Sequence, residues 1–138
     1  MHMADKRQIA IVLYPGMTAL DALGPYEILK LLPDFELRLV AHEPGPVVTD
    51  RDVLISGATH SFEETPHPFL ILAPGSEANT ISAMADGRLL SWLKKAHETS
   101  TMTTSVCSAR LFWPPPVSSR GNAQQRIGGR RRRSVALA

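Results

Sequence analysis

Cysteine is almost absent from this chain of 138 residues, which contains a single one, Cys107. One cysteine excludes an internal disulfide. The chain also lacks an apolar run long enough to span a membrane and a signal-peptide pattern. These absences predict a protein of the cytoplasm that folds by burying apolar side chains. With 43% hydrophobic and 20% charged residues, the composition is ordinary for one globular domain.

Acidic residues are missing from the end of the chain. Residues 1–109 carry eight Lys and Arg against thirteen Asp and Glu, whereas residues 110–138 carry seven Arg and no acid. The net charge of +2 therefore combines a balance of −5 with one of +7. Because the acidic part contains every segment with a folding pattern, the sequence pI of about 9.0 is weak support for nucleic-acid binding.

Apolar and alternating segments predict four β-strands with helices between them. The predicted strands are residues 8–14, 35–41, 69–73 and 101–106, with a short hairpin at 47–48 and 53–56. The predicted helices are residues 18–32, 79–85 and 88–98. In the first helix, Pro25 is expected either to introduce a kink or to mark the first turn. This alternation predicts a doubly wound α/β sheet whose ligand site lies at the carboxyl ends of the strands.

Three of these strand ends carry groups that can share one site. Cys107 follows the last predicted strand, and a strand-to-helix turn there would project its thiol as a nucleophile beside the N–H of Ser108. The turn Pro74-Gly75-Ser76 follows the third strand, and the N–H of Ser76 is the expected second donor of an oxyanion hole. Asp21 is expected to act as acid, base or hydrogen-bond partner of the thiol, with one of the pair carrying the proton.

Each of these residues also has a purely structural explanation. A lone cysteine is commonly a small core residue, and Asp21, three positions after Thr18, fits a first-turn acid in a capping arrangement. Pro74-Gly75 fits an ordinary turn, and Glu27 fits a solvated helix position. The histidines show neither metal-ligand spacing nor a link to the cysteine, so no metal site is expected. They are interpreted as surface residues at positions 2, 42, 60, 67 and 97.

Three segments of residues 8–108 resemble the ThiJ/PfpI superfamily of class I glutaminase-like folds. They read IAIVLYPGMTALDALGPYEIL, LILAPGS and TTSVCS, in this order. They are most similar to the isonitrile hydratase branch, in which L-D-x-x-G-P-x-[DE] precedes S-V-C-T/S-G. The resemblance implies a flavodoxin-like doubly wound parallel sheet with helices on both faces, here C-terminally truncated. It also implies a homodimer for the full-length family form.

The resemblance also implies roles for the candidate site residues. Cys107 would be the nucleophile, Asp21 its acidic partner, Ser108 the hydroxyl beside the nucleophile, and Gly75 with Ser76 the oxyanion turn. The implied reaction is hydration of a small isonitrile to an N-substituted formamide by a lyase that needs no cofactor. Alternative functions are the ligand-sensing domain of a transcription regulator and a cysteine peptidase or glyoxalase-like relative.

Two single positions and the end of the chain depart from the family pattern. Ser76 and Ala109 stand where family members usually have Gly. Residues 114–116 are all Pro, which limits a helix after Cys107 to about one turn. Restoring one base after the Ser108 codon allows GALVLAAAGLLKGKRATTHW in place of residues 109–128, with the Gly and the helix of the family.

We therefore interpret residues 1–108 as an incomplete ThiJ/PfpI-like α/β domain and residues 109–138 as a frameshifted, disordered basic tail. The four Arg at 130–133 are not expected to bind nucleic acid. We expect the 138-residue chain to be marginally stable and weakly active, because the tail contains too little apolar surface to complete the core. The nucleotide sequence tests this interpretation: a shifted frame that does not encode the restored peptide would show it to be wrong.

Overall fold

The computed structural model describes residues 6–113, in which strands and helices alternate. The strands are β1 (Arg7–Val12), β2 (Phe35–Ala41), β3 (Gly45–Val48), β4 (Ile55–Ala58), β5 (His60–Ser61), β6 (Leu70–Ala73) and β7 (Met102–Ser105). The α-helices are α1 (Ala19–Leu29), α2 (Thr80–Ala83) and α3 (Gly87–Thr99). Two short 3₁₀ helices cover Asp50–Asp52 and Cys107–Phe112.

Five strands form a parallel sheet in the order β5-β2-β1-β6-β7, and β3 pairs with β4 in a separate antiparallel hairpin. β1 lies at the centre, where Ile9 is in register with Leu37 of β2 and Leu70 of β6. A strand that is covered on both faces needs a continuous aliphatic sequence, and β1 has one in its last four residues, 9–12, which are all buried. The strand order reverses between β1 and β6, which is where doubly wound folds bind ligands.

Helices cover both faces of this sheet, as two neighbouring residues of β7 show. The hydroxyl of Thr103 is 2.9 Å from Nδ1 of His97 in α3. Thr104 instead lines an apolar groove together with Pro25 and Leu29 of α1. Because consecutive side chains of a strand point to opposite faces, α1 and α3 lie on opposite sides of the sheet. The predicted flavodoxin-like α/β fold is thus confirmed.

The helix α3 attaches to the sheet through one apolar face. Asp86 begins the helix as an N-cap, and its carboxylate accepts a hydrogen bond of 3.1 Å from the N–H of Leu89. The ring of Trp92 stacks on Phe62 with 5.0 Å between centroids, and its Nε1 donates to the carbonyl of Thr65 at 2.9 Å. Fully burying such a side chain stabilises the fold by roughly 1.5–3 kcal/mol.

Several details, mainly the ends of the elements, differ from the sequence predictions. The helix α1 ends at Leu29, three residues before the predicted end, and Pro25 lies inside it, so the idea that Pro25 marks the first turn is wrong. The two-residue strand β5 has no pattern that predicts it. The predicted frameshifted tail falls outside the described residues from position 114 onward. None of the helices between residues 6 and 113 has the length and hydropathy of a membrane span.

Candidate active site

Three loops follow the adjacent strands β1, β6 and β7 and meet at one edge of the sheet. The first leads into α1, whose first turn carries Asp21. The second is the predicted oxyanion turn (Pro74–Ser76). The third is the elbow (Val106–Ser108), which is joined to β6 by a hydrogen bond of 3.0 Å from the N–H of Val106 to the carbonyl of Ala73. Parallel pairing therefore brings together residues that are far apart in the sequence.

The elbow holds Cys107 in an uncommon backbone conformation. Its φ angle is +57°, in the left-handed region that costs a side chain with a Cβ atom roughly 1–2 kcal/mol. The residue is exposed, so the explanation of Cys107 as a buried core residue is wrong. A strained strand-to-helix turn that presents its side chain to solvent is the geometry expected of a nucleophile elbow.

The chain from Cys107, inside the elbow, to Phe112 is a six-residue 3₁₀ helix rather than an α-helix. It ends at Phe112, and Trp113 is extended with φ −102° and ψ 136°. The residue before a proline is restricted to this region by the proline ring, and Pro114 follows. The helix is thus longer than the predicted single turn, and it stops where the proline run requires. Ala109, at the position where the family usually has Gly, is completely buried.

Asp21 is directed at the oxyanion turn rather than at the start of its own helix. Its Oδ2 accepts a hydrogen bond of 3.1 Å from the N–H of Gly75, and the carbonyl of Gly75 accepts one of 2.8 Å from the N–H of Thr18. Thr18 is the N-cap of α1 but makes no side-chain capping bond. The alternative in which Thr18 and Asp21 form a capping arrangement therefore lacks its hydrogen bond, and Asp21 connects the first turn of α1 to the oxyanion turn.

Glycine is the only residue type that fits at position 75, beside the elbow. A Cβ atom built there would lie 2.8 Å from both the N and the Oγ of Ser108 and 2.9 Å from the carbonyl oxygen of Val106. Real Cβ atoms do not approach backbone atoms this closely. The absence of a side chain at Gly75 thus lets the oxyanion turn and the elbow pack in direct contact.

Ser76 lies at the predicted place, but its N–H is used differently from the prediction. The N–H donates to Oγ of Ser108 at 3.1 Å, so in this structure it is bonded within the protein. The side chain of Ser76 is 4% exposed and is hydrogen-bonded to Thr80 at 2.9 Å, so it does not project into the space beside the cysteine. The Oγ of Ser108 in turn donates to the carbonyl of Ser76 at 3.0 Å.

The sequence analysis missed two residues of this region, Thr80 and Tyr14. Thr80 is buried and lies 2.7 Å from Oγ of Ser108. Tyr14 donates its hydroxyl to the carbonyl of Pro74 at 2.8 Å. Burial raises the pKa of Tyr14 above its ordinary value of 10.0, although the nearby hydroxyls of Thr80 and Ser76 lower it. No motif marks either residue, but a tyrosine at the exit of a buried strand is a signal that could have identified Tyr14.

The histidines lie apart from these contacts, and not all of them are on the surface. His67 and His97 are exposed as predicted, whereas His42 and His60 are half-buried. His42 pairs with Asp86 at the start of α3, while position 2 lies outside the described residues. Across residues 6–113, no three His, Cys, Asp or Glu side chains are grouped so that they could hold a metal ion.

Comparisons with known proteins agree with this fold. No protein-family model matches the chain. It is 32% identical over 104 residues to an isonitrile hydratase of Pseudomonas putida, which covers 75% of this chain and 45% of that protein. A ThiJ/PfpI family protein from Pseudomonas syringae superposes with a TM-score of 0.73 and 30% identity, over 78% of this chain and 44% of the other. Drosophila melanogaster DJ-1beta shares the fold alone, with a TM-score of 0.66 and 14% identity over 78% and 58% of the two chains.

The chain spans less than half the length of the two Pseudomonas proteins. Within that span, both the sequence similarity and the parallel sheet agree with the resemblance seen in the three sequence segments. The chain belongs to the ThiJ/PfpI superfamily, near isonitrile hydratase.

Proposed function

We propose that this site hydrates small isonitriles to N-substituted formamides, with Cys107 as nucleophile and Asp21 as acid and base. The observation that carries the proposal is the pair of contacts through Gly75, which hydrogen-bonds to Asp21 and packs directly against the cysteine elbow. One residue thereby connects a carboxylate to an exposed thiol on a strained turn. Similarity to a protein named isonitrile hydratase supports the proposed substrate class.

The first half of the proposed reaction adds the Cys107 thiolate and a proton from Asp21 to the terminal carbon of the isonitrile. The sulfur of Cys107 forms a bond to this carbon while Asp21 delivers a proton to it, giving a thioimidate, R–N=CH–S-Cys. The sulfur supplies the electron pair of the new C–S bond, and the carbon–nitrogen triple bond becomes a double bond. Asp21 is left as a carboxylate next to the N–H of Gly75.

In the second half of the reaction, Asp21 acts first as a base instead of an acid. Asp21 accepts a proton from a water molecule that attacks the thioimidate carbon and passes this proton to the nitrogen, which becomes an N–H group. Asp21 then takes the hydroxyl proton of the adduct as it collapses, which expels the Cys107 thiolate and releases R–NH–CHO. One water is consumed, and the cysteine and the carboxyl group return to their starting states. The reaction needs no redox step.

The experiment measures formamide production from an aliphatic isonitrile, by mass spectrometry or NMR. It uses both the 138-residue chain and the protein with its reading frame restored, since we propose that residues 109–138 are frameshifted. We expect activity in the restored protein, loss to background in Cys107→Ala, and a decrease of about 100-fold or more in Asp21→Asn. Glu27→Gln is the matched control, because Glu27 is an exposed carboxylate on the same helix.

Two outcomes contradict the proposal. Activity that survives Cys107→Ala would exclude the covalent mechanism. Tight isonitrile or formamide binding without turnover would favour the alternative of a ligand-sensing domain. We further propose, from the family resemblance, that the protein acts in the cytoplasm on small molecules and that its full-length form is a homodimer. Gel filtration of the restored protein tests the last point.

A further inference from the structure

Three buried or half-buried hydroxyl groups connect the oxyanion turn, α2 and the elbow. Thr80 Oγ1 lies 2.9 Å from Ser76 Oγ and 2.7 Å from Ser108 Oγ. Ser108 Oγ returns to the backbone of Ser76, whose N–H is 3.1 Å away and whose carbonyl oxygen is 3.0 Å away. We refer to this closed set of hydrogen bonds among Ser76, Thr80 and Ser108 as the hydroxyl ring.

The hydrogens of the hydroxyl ring can point in one direction only. The carbonyl of Ser76 has no hydrogen, so Ser108 must donate its single hydroxyl hydrogen to it. The bond between Thr80 and Ser108 then requires Thr80 as donor, and the bond between Ser76 and Thr80 requires Ser76 as donor. Bonds that follow one another in this way strengthen each other.

This direction leaves the hydroxyl of Ser108 fully occupied. A hydroxyl group has one hydrogen and two lone pairs. The hydrogen of Ser108 goes to the carbonyl of Ser76, and its lone pairs accept from the N–H of Ser76 and the hydroxyl of Thr80. Ser108 in this arrangement therefore has neither a hydrogen nor a lone pair to offer to a substrate beside Cys107. Its role must therefore be structural, because it connects the elbow to the oxyanion turn and to α2.

We propose that Thr80 is a positioning residue that, through Ser108, sets the position of the Cys107 thiol relative to the oxyanion turn. Ser108 follows Cys107 directly in the chain, and its hydroxyl makes two hydrogen bonds to the backbone of Ser76 in the oxyanion turn. Fixing the side chain of Ser108 therefore fixes the elbow. Thr80 supplies the hydrogen bond that completes this arrangement. The catalytic consequence rests on the proposed function, whereas the effect on the thiol does not.

The first test measures how fast iodoacetamide alkylates the thiol of the 138-residue chain across a range of pH. Thr80→Val keeps the shape of the side chain but removes its hydroxyl, and we expect it to change the alkylation rate by about threefold or more. Thr80→Ser restores the hydroxyl and is expected to restore the rate. Thr49→Val is the matched control, because Thr49 is equally buried but bonds to Leu54 in the hairpin.

The second test asks whether Thr80 acts through Ser108. We expect Ser108→Ala to change the alkylation rate, and Thr80→Val to have no further effect when Ser108 is already Ala. Equal effects of Thr80→Val in both backgrounds would overturn the proposal, as would an unchanged rate in Thr80→Val. If Thr80→Val does not fold, Ser76→Ala opens the same ring at its first donor and is expected to change the rate in the same direction; an unchanged rate there would overturn it too.

Hydration assays then separate this proposal from the proposed function. In an active protein, we expect Thr80→Val to lower kcat by about 10-fold with little change in KM, and Thr80→Ser to recover it. Coupling between Thr80 and Ser108 in alkylation, without any hydration, would reject the proposed function and leave this inference intact. Cysteine-dependent hydration without that coupling would reject this inference alone.

Discussion

The oxyanion turn and the elbow build one site, yet their structures are opposite in character. The turn follows the central region of the sheet, its three residues are buried, and its peptide groups bond to Tyr14, Thr18, Asp21 and Ser108. The elbow follows β7, at the edge of the sheet formed by residues 6–113, and presents an exposed thiol at a positive φ angle. The buried, hydrogen-bonded turn thus fixes the geometry, and the strained elbow presents the thiol that we propose as the nucleophile.

The largest expected effect comes from breaking the contact between the two sides. Gly75→Ala places a Cβ atom 2.8 Å from Ser108 N, and relief of this overlap is expected to lower the free energy of unfolding by about 3 kcal/mol. Gly24→Ala is the control, since its Cβ atom would have its nearest contact at 3.9 Å and alanine favours the helix by about 1 kcal/mol. Urea denaturation measures both. Equal stability of the two variants would show that the packing at Gly75 is not tight.

A smaller effect measures the strain of the elbow itself. Cys107→Gly and Cys107→Ala both remove the thiol, but only glycine adopts the positive φ angle without a steric cost. We expect the glycine variant to be more stable than the alanine variant by about 1 kcal/mol. At Ser105, in the strand before the elbow, the same pair is expected to have the opposite order. If the glycine variant is not the more stable one at position 107, as at position 105, then the backbone of the elbow is unstrained.

An effect of similar size is expected at the turn alone. Tyr14→Phe removes the hydrogen bond to the carbonyl of Pro74 but keeps the edge-on contact with Phe112, whose centroid is 5.5 Å away. We expect a loss of about 1 kcal/mol in the free energy of unfolding at neutral pH. Tyr26→Phe is the control, because it removes the hydroxyl of the other tyrosine, in α1.

The pH dependence of this loss follows from the raised pKa of Tyr14, which burial causes. The unfolded chain releases the tyrosine proton near pH 10.0 and the folded chain only at higher pH. The advantage of the wild type over Tyr14→Phe is therefore complete below that pH and is lost as the pH rises through the folded-state pKa. A difference that stays constant up to pH 11 would contradict this reasoning.

Local patterns were sufficient to predict most of the sheet and the positions of the loops. The alternation of FELRLVA predicted β2 with its observed ends, and the apolar run before Pro74 predicted β6 with one residue too many. The ends of the helices were harder, because α1 stops at Leu29 although Leu31 and Leu32 continue its apolar spacing. Both leucines remain exposed, so there is no burial to extend the helix that far.

The hydroxyl ring could not be predicted from the sequence. Ser76 and Ser108 are 32 residues apart, and Thr80 lies in a four-residue helix without a motif. Serine and threonine serve equally well as caps, turn residues and surface residues, so their identity says nothing about a partner. Only the pairing of β6 with β7 brings these hydroxyls together. The roles of Cys107 and Asp21 in catalysis remain predictions that the activity assays test.

The parallel pairing of β1 with both β2 and β6 has a consequence for the order in which this chain folds. β1 is made first during synthesis but must wait for Leu70–Ala73 before its second side is covered. Contacts across such long stretches form slowly, because closing the loop costs entropy before any burial offsets it. Asp21 and Gly75 are 54 residues apart, so their hydrogen bond reports the pairing of β1 with β6. Protection of the Gly75 amide against hydrogen exchange during refolding would date this step of folding.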